Sequence, residues 1–269
     1  MFEYIIIFIF GTIVGSFLNA LVWRLSVGES VLHGRSYCTD CHTSLNAGDL
    51  IPLLSFFLLR RRCRYCRSNI SWRYPIIEAC GGLLFVLAYS IFLKTAPDGL
   101  AQSLLLGEHG RDILLLIRNW FFISVLLALF YYDLRWSLLP DSITLPAIVI
   151  GLVFQLILLP QQFLFIIIAA LVGAGFFAAQ YLLSRGAWIG GGDIRLGALM
   201  GVMLGWPGVL LALFVAYIVG AAGAIVLLAL KLKDRKSAIP FGPFLAGATG
   251  MVLLYGDQLM SVIRNWYGI

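Results

Sequence analysis

Apolar residues run through this chain in long unbroken blocks, without the alternation of half-buried strands or the one-sided stripe of a surface helix, and short polar segments separate the blocks. Eight blocks can be drawn, over 2–23, 75–93, 113–132, 143–159, 163–183, 194–204, 209–230 and 241–263. All but the sixth reach the roughly 17 residues that a helix needs to cross a bilayer. The sixth crosses only if it is tilted, broken or packed inside the bundle. The pattern predicts an all-α polytopic membrane protein with about eight transmembrane helices. Three parts follow: a first transmembrane helix over 1–24, a loop domain over 25–74, and a helical membrane core over 75–269. The first block carries Glu3, has no basic residue before it and lacks a small-residue cleavage site, so it reads as a retained helix and not as a signal peptide.

Composition agrees. Of 269 residues 61% are hydrophobic and only 12% charged, against about 45–50% and about 25% in soluble domains; a soluble globule and a disordered chain are both excluded. A net charge of +6 would suggest nucleic acid in a soluble protein, but in a membrane protein the distribution of the charge reports topology. Eight crossings place 15 of the 19 Lys and Arg on one side and 4 on the other. The segment 24–74 is therefore expected in the cytoplasm, with both termini in the periplasm. Arg60, Arg61, Arg62, Arg64 and Arg67 read first as this topological signal, in contact with anionic lipid headgroups. The same assignment brings Asp133, Asp141 and Asp193 to the cytoplasmic face, at the mouths of the third, fourth and sixth blocks.

The loop holds Cys38-x2-Cys41 and Cys63-x2-Cys66, with 21 residues between the pairs. Two residues between thiolates let one tight turn offer both sulfurs to a tetrahedral ion, and two such knuckles complete a Zn-S4 site. A redox pair and free thiols are the other readings; a reducing cytoplasm weighs against disulfides. A four-thiolate site has no position open to water, so the expected zinc is structural. His42, next to Cys41, could stand in for a thiolate or lie on the surface.

Carboxylates at the ends of membrane helices are costly and each needs a reason. Asp193 follows Gly190-Gly191-Gly192, and Asp141 follows Leu139-Pro140; both could be N-caps. Asp133, after Phe130-Tyr131-Tyr132, stands where a negative charge opposes the helix dipole, unless it is simply a surface residue in a loop with Arg135. The glycines before Asp193 admit close approach of another backbone, and Gly197, Gly201 and Gly205 predict one bare helix face for tight packing in lipid. Two carboxylates at a water-accessible mouth are what aspartic proteolysis needs, one ionised to activate water and one protonated to polarise the peptide carbonyl. Dipole reasoning puts the charge on Asp193 and the shared proton on Asp133. The three histidines, His33, His42 and His109, are expected in loops and offer no triad or metalloprotease ligand set. A proton-coupled transporter would need acids in mid-span and symmetric halves, and a zinc-bearing scaffold would leave the two acids around the glycine turn unexplained.

The ordered set of motifs resembles the type IV prepilin peptidases, membrane aspartic proteases with a Gly-x-Gly-Asp motif that here reads Gly190-Gly191-Gly192-Asp193. The similarity also covers Gly15-Ser16-Phe17-Leu18-Asn19 with Arg24, both cysteine knuckles, Arg73-Tyr74-Pro75-Ile76-Ile77-Glu78, Asp133 with Leu139-Pro140-Asp141, and Ile239-Pro240-Phe241-Gly242-Pro243. The resemblance implies removal of the short basic leader of prepilins and type II secretion pseudopilins, after a Gly, at the cytoplasmic face of the bacterial inner membrane. Asp133 and Asp193 match the family's catalytic aspartates; Asp141 matches a position without that role, and Arg195 stands where many members carry Lys. Members with the cysteine-bearing loop also N-methylate the new terminal residue with S-adenosylmethionine. That implies a methyl donor here, and it makes Glu78 a candidate for methyl transfer; the alternative is an acid favoured by the start of its helix.

Overall fold

The computed structural model describes residues 1–31, 33–95, 109–231 and 240–267. Lys233, Arg235 and Lys236 of the charge count, and Ile239 of the last motif, lie outside the described residues. Two compact units emerge, Met1–Leu100 and Ala101–Ile269. The contacts thus group the second apolar block with the first. The described chain is helical, and its β pairing is limited to two isolated bridges in the loop, Tyr37 to Ser44 and Arg62 to Asn69.

In the first unit α1 (Phe2–Val27) packs along α3 (Arg73–Thr95), with a short α2 (Leu54–Leu58) in the loop between them. Glu3 accepts a hydrogen bond from the Tyr89 hydroxyl at 2.7 Å, whereas Gly15 lies against Glu78, so the pair is antiparallel. Backbones touch where Gly11 faces Gly81: a Cβ on Gly11 would lie 2.7 Å from the Gly81 oxygen. Small residues that admit such contact hold helices together in lipid, where apolar side chains gain nothing by leaving the solvent. α1 stops at Gly28, left-handed at φ 74°, and Arg24 then gathers the returning chain by donating to the carbonyls of Ser30, Val31, His33 and Gly34 at 3.0–3.4 Å.

The second unit holds α4 (His109–Trp136), α5 (Asp141–Leu158), α6 (Phe163–Ser184), α7 (Gly191–Leu204), α8 (Gly208–Ala229) and α9 (Gly242–Tyr267). His109 opens α4 and is not the loop residue expected from the sequence. α7 is the centre: Leu196, Leu199, Met200 and Val202 are 0% exposed. It lies tightest on α6, where a Cβ on Gly173 would run into the Gly197 carbonyl and one on Gly201 into the Ala169 carbonyl. Gly205 was expected to continue this bare face. It instead ends the helix, at φ 64°.

Among the described residues six helices are long and apolar enough to cross a membrane: α1, α3, α4, α5, α6 and α8. The two remaining blocks depart from that description for different reasons. α7 has 14 residues, about 21 Å at 1.5 Å per residue against a hydrocarbon core of about 30 Å. α9 has 26 residues, but Asp257, Gln258, Arg264 and Asn265 interrupt its second half. Large apolar side chains lie on the outside, among them Phe2, Leu164, Leu182 and Leu183 at 68–79% exposure. Water would penalise such a surface and lipid does not.

Candidate active site

Asp133 lies three residues before the end of α4 and is 5% exposed. The helix closes where Ser137, at φ 53°, donates its N–H to the Asp133 carbonyl at 2.8 Å. The chain then turns through Leu139 and Pro140 into α5. Leu139 presses on the start of α7, where a Cβ on Gly192 would sit 2.9 Å from the Leu139 Cβ. This contact explains one glycine of the triplet by space alone.

Asp193 is the third residue of α7, not its N-cap; Gly190 holds that place. From there the side chain reaches back, and its Oδ2 accepts the Gly190 N–H at 3.1 Å. Asp193 and Asp133 are close enough to feel each other's charge. Asp133 Oδ2 is buried and receives no hydrogen bond from the described residues. Against it stands the first residue of α9: a Cβ on Gly242 would lie 2.5 Å from Asp133 Oδ2 and 2.9 Å from its Cγ. Beside the pair, Tyr217 of α8 donates its hydroxyl to Gln180 Oε1 at 2.9 Å and sets its ring edge-on to Phe241, centroids 4.9 Å apart.

Asp141 is not an N-cap either. It is the first residue of α5, Pro140 is the cap, and no side chain caps the helix. Its carboxylate pairs with Arg195 of α7, and this pair ties the mouths of the fourth and sixth blocks together beside Asp193. Chemically, the group offers one carboxyl held by the Gly190 N–H and a second, buried one packed against the bare Cα of Gly242, with one oxygen that no donor reaches among the described residues.

The first unit carries the other predicted residues. The four Sγ atoms of Cys38, Cys41, Cys63 and Cys66 lie within 4.8 Å of one another, and Cys38 Sγ is 3.8 Å from Cys66 Sγ. A tetrahedral ion with Zn–S of about 2.3 Å needs sulfurs about 3.8 Å apart. The two knuckles repeat one design. Cys38 N–H donates to Thr43 O and His42 N–H to Cys38 O; Cys63 N–H donates to Ser68 O and Arg67 N–H to Cys63 O, all at 2.9–3.1 Å. His42 and Arg67 hold matching left-handed turns at φ 55° and 63°. The His42 ring stacks on Tyr37 at 5.6 Å, which accounts for it without a ligand role. The Ser68 hydroxyl, with the Ser68 N–H, lowers the Cys66 thiol to about 6, whereas burial pushes the Cys63 thiol up. For Cys38 burial works in the same upward direction, but the N–H groups of Cys41 and Asp40 outweigh it and the thiol is lowered. Asp49 braces the second knuckle, accepting from Arg64 Nε at 2.6 Å and from the Tyr65 hydroxyl at 3.1 Å.

Glu78 is 8% exposed, in the second turn of α3, and its Oε2 accepts the N–H of Leu53 at 2.8 Å. Leu53 is the N-cap of α2. The carboxylate therefore fastens the loop's short helix, and it is not an acid at the start of its own helix. Nearby, Asn19 Nδ2 donates to the Tyr74 carbonyl at 3.1 Å while its Oδ1 is buried with no donor among the described residues.

Sequence reasoning assigned no role to Gly242, although it stands in a quoted motif, and missed the Asp141–Arg195 pair altogether. The Pro-Phe-Gly-Pro run was the available signal for Gly242; no local pattern marks a pair 54 residues apart.

Residues 9–92 match the bacterial peptidase A24 N-terminal domain, and residues 120–225 match the type IV leader peptidase family. The prepilin leader peptidase/N-methyltransferase of Aeromonas hydrophila is 32% identical, over 97% of this chain and 92% of that protein. Proteins of the same description from Legionella pneumophila and Pseudomonas putida are 30% and 31% identical, over 99% and 94% of this chain and 94% and 91% of theirs. No solved structure matches the chain.

Proposed function

Since the chain belongs to the type IV leader peptidase family, we propose that it is a membrane-embedded aspartic endopeptidase that removes the leader of type IV prepilins or type II pseudopilins and N-methylates the new terminal residue. What supports the reading is that Asp133, buried against Gly242, and Asp193, held at the start of α7 by the Gly190 N–H, are close enough to feel each other's charge. Two carboxylates at close range do not ionise together without cost, since unit charges about 4 Å apart repel by roughly 4 kcal/mol at an effective dielectric near 20. One proton is shared. Gly190 N–H and the start of α7 favour the charge on Asp193, and Asp133, near the end of α4 and with an Oδ2 that no donor reaches among the described residues, carries the proton. The proton formally belongs to the pair.

In the first step Asp193 takes a proton from water, the hydroxyl adds to the scissile carbonyl carbon, and Asp133 passes its proton to the carbonyl oxygen. In the second a proton returns from that oxygen to Asp133, Asp193 protonates the amide nitrogen, and the C–N bond breaks to a leader carboxylic acid and a mature amine. That amine is the acceptor for the methyl group of S-adenosylmethionine.

All eight blocks cross or enter the membrane in this reading, with α7 as the buried short segment and α9 as the last crossing. Both termini are periplasmic, and the loop and the aspartates face the cytoplasm of a bacterial inner membrane, supported by the 15 to 4 charge split. The basic leader then stays in water while the apolar part of the substrate lies in lipid. Cys38, Cys41, Cys63 and Cys66 hold one zinc that braces the 25–74 domain; the convergence of four sulfurs supports this. Glu78 acts in methyl transfer by positioning the 53–58 segment it fastens. The test is incubation of the purified protein with a prepilin and labelled S-adenosylmethionine, followed by sequencing of the product terminus. A shortened, methylated terminus is expected, and an intact leader would reject the reading.

A further inference from the structure

A cavity of about 370 Å³ opens among the last turn of α7, the start of α8 and the second half of α9, at the end of α7 away from Asp193. The 14 residues of α7 separate the two places by roughly 20 Å. Arg118 of α4 lines the cavity. Its Nη1 donates to Gln155 Oε1 at 3.3 Å, and its Nε and Nη2 donate to Asn119 Oδ1 at 3.3 and 3.0 Å. Both acceptors are neutral, and among the described residues no carboxylate pairs with Arg118.

The arrangement is built. Gln155 is 2% exposed, and its amide nitrogen is held by the carbonyls of Val202 and Met203 at 2.6 and 3.4 Å, which turns Oε1 toward the guanidinium. A guanidinium has five N–H groups, so two remain after these bonds. A cation within a membrane helix is costly until a countercharge reaches it. Asp257 of α9, an exposed residue, also lines the cavity, and so does Trp206, 51% exposed, a side chain suited to headgroup depth. The cavity thus offers one half-buried cation, one exposed anion, and an aromatic ring.

We propose that this cavity binds the headgroup of a zwitterionic aminophospholipid, with its phosphodiester on Arg118 and its ammonium on Asp257. A purely anionic headgroup would satisfy Arg118 and leave Asp257 opposing it. A choline headgroup has no N–H to give the carboxylate. The acyl chains lie outside, along the exposed apolar surface that includes Phe165, at 58% exposure.

Delipidated protein in detergent is titrated with phosphatidylethanolamine, phosphatidylglycerol, phosphatidylcholine and soluble glycerophosphoethanolamine, reading Tm and the bound lipid by mass spectrometry. Phosphatidylethanolamine should bind the wild type about tenfold more tightly than the other two lipids, the scale of one charge-assisted hydrogen bond. Arg118→Gln should abolish retention. Asp257→Asn, a change at an exposed position that keeps the fold, should bring phosphatidylethanolamine to within about threefold of phosphatidylcholine. Equal binding of all three lipids by the wild type, or an undiminished preference in Asp257→Asn, overturns the proposal. Saturation by the soluble headgroup at the concentration where the lipid saturates would assign the cavity to a free phosphate ester instead.

Discussion

Gly242→Ala should disable peptide cleavage while leaving the bundle folded. The added methyl would lie 2.5 Å from Asp133 Oδ2 and 2.9 Å from its Cγ, whereas carbon and oxygen atoms in ordinary contact stay about 3.4 Å or more apart. The carboxyl or the start of α9 must move by close to 1 Å. Overpacking of this size costs about 1–3 kcal/mol of stability, and a misplacement of about 1 Å in a catalytic group can cost about 100-fold in rate. The assay is leader removal from a prepilin, with kcat and KM separated, alongside Tm. We expect kcat to fall by about two orders of magnitude with KM little changed, the pattern of a change that acts on the transition state and not on ground-state binding. Gly247→Ala on the same helix is the control, since nothing lies within 4 Å of a Cβ there, and it should be neutral. If Gly242→Ala cleaves within about threefold of wild type, the wall beside Asp133 is not part of the catalytic geometry.

Three further outcomes are expected. Asp141→Asn should retain cleavage within a few-fold in the same assay, because its pairing with Arg195 is partly exposed and such pairs contribute about 0–1 kcal/mol; complete loss would move a catalytic role to Asp141. Metal analysis of Cys63→Ser should show about one equivalent of zinc lost or much weakened, as for any four-ligand site missing a member, whereas full occupancy would place the metal elsewhere. Glu78→Gln keeps a weaker acceptor for Leu53 N–H, so methylation of a pre-cleaved substrate should fall while leader removal persists; normal methylation would remove Glu78 from that step.

The apolar blocks were legible because lipid rewards unbroken hydrophobic runs, and their boundaries recur in the helices within a few residues. The cysteine cluster was legible for a similar reason: two-residue spacing sets the knuckle geometry locally. The particular partner of each side chain was not. A run of three glycines carries no side-chain signal for where a helix begins, so Asp193 looked like a cap and stands instead at the third position, reaching back to Gly190. Asp141 looked like a cap because its neighbours are Pro140 and Ser142, and its actual partner, Arg195, is on another helix. Gly242 shows no positive φ that would demand a glycine; only the arrival of Asp133 from α4 crowds a side chain there.

The most direct measurement is the cleavage rate of Asp133→Asn and Asp193→Asn, each in the same membrane preparation as wild type, with Tm and methylation of a pre-cleaved substrate as controls on folding. Both substitutions should leave no detectable leader removal while Tm and methylation are kept, because each removes one member of the pair proposed to share a single proton. Substantial cleavage by either variant, with the fold intact, would contradict the assignment of hydrolysis to this pair.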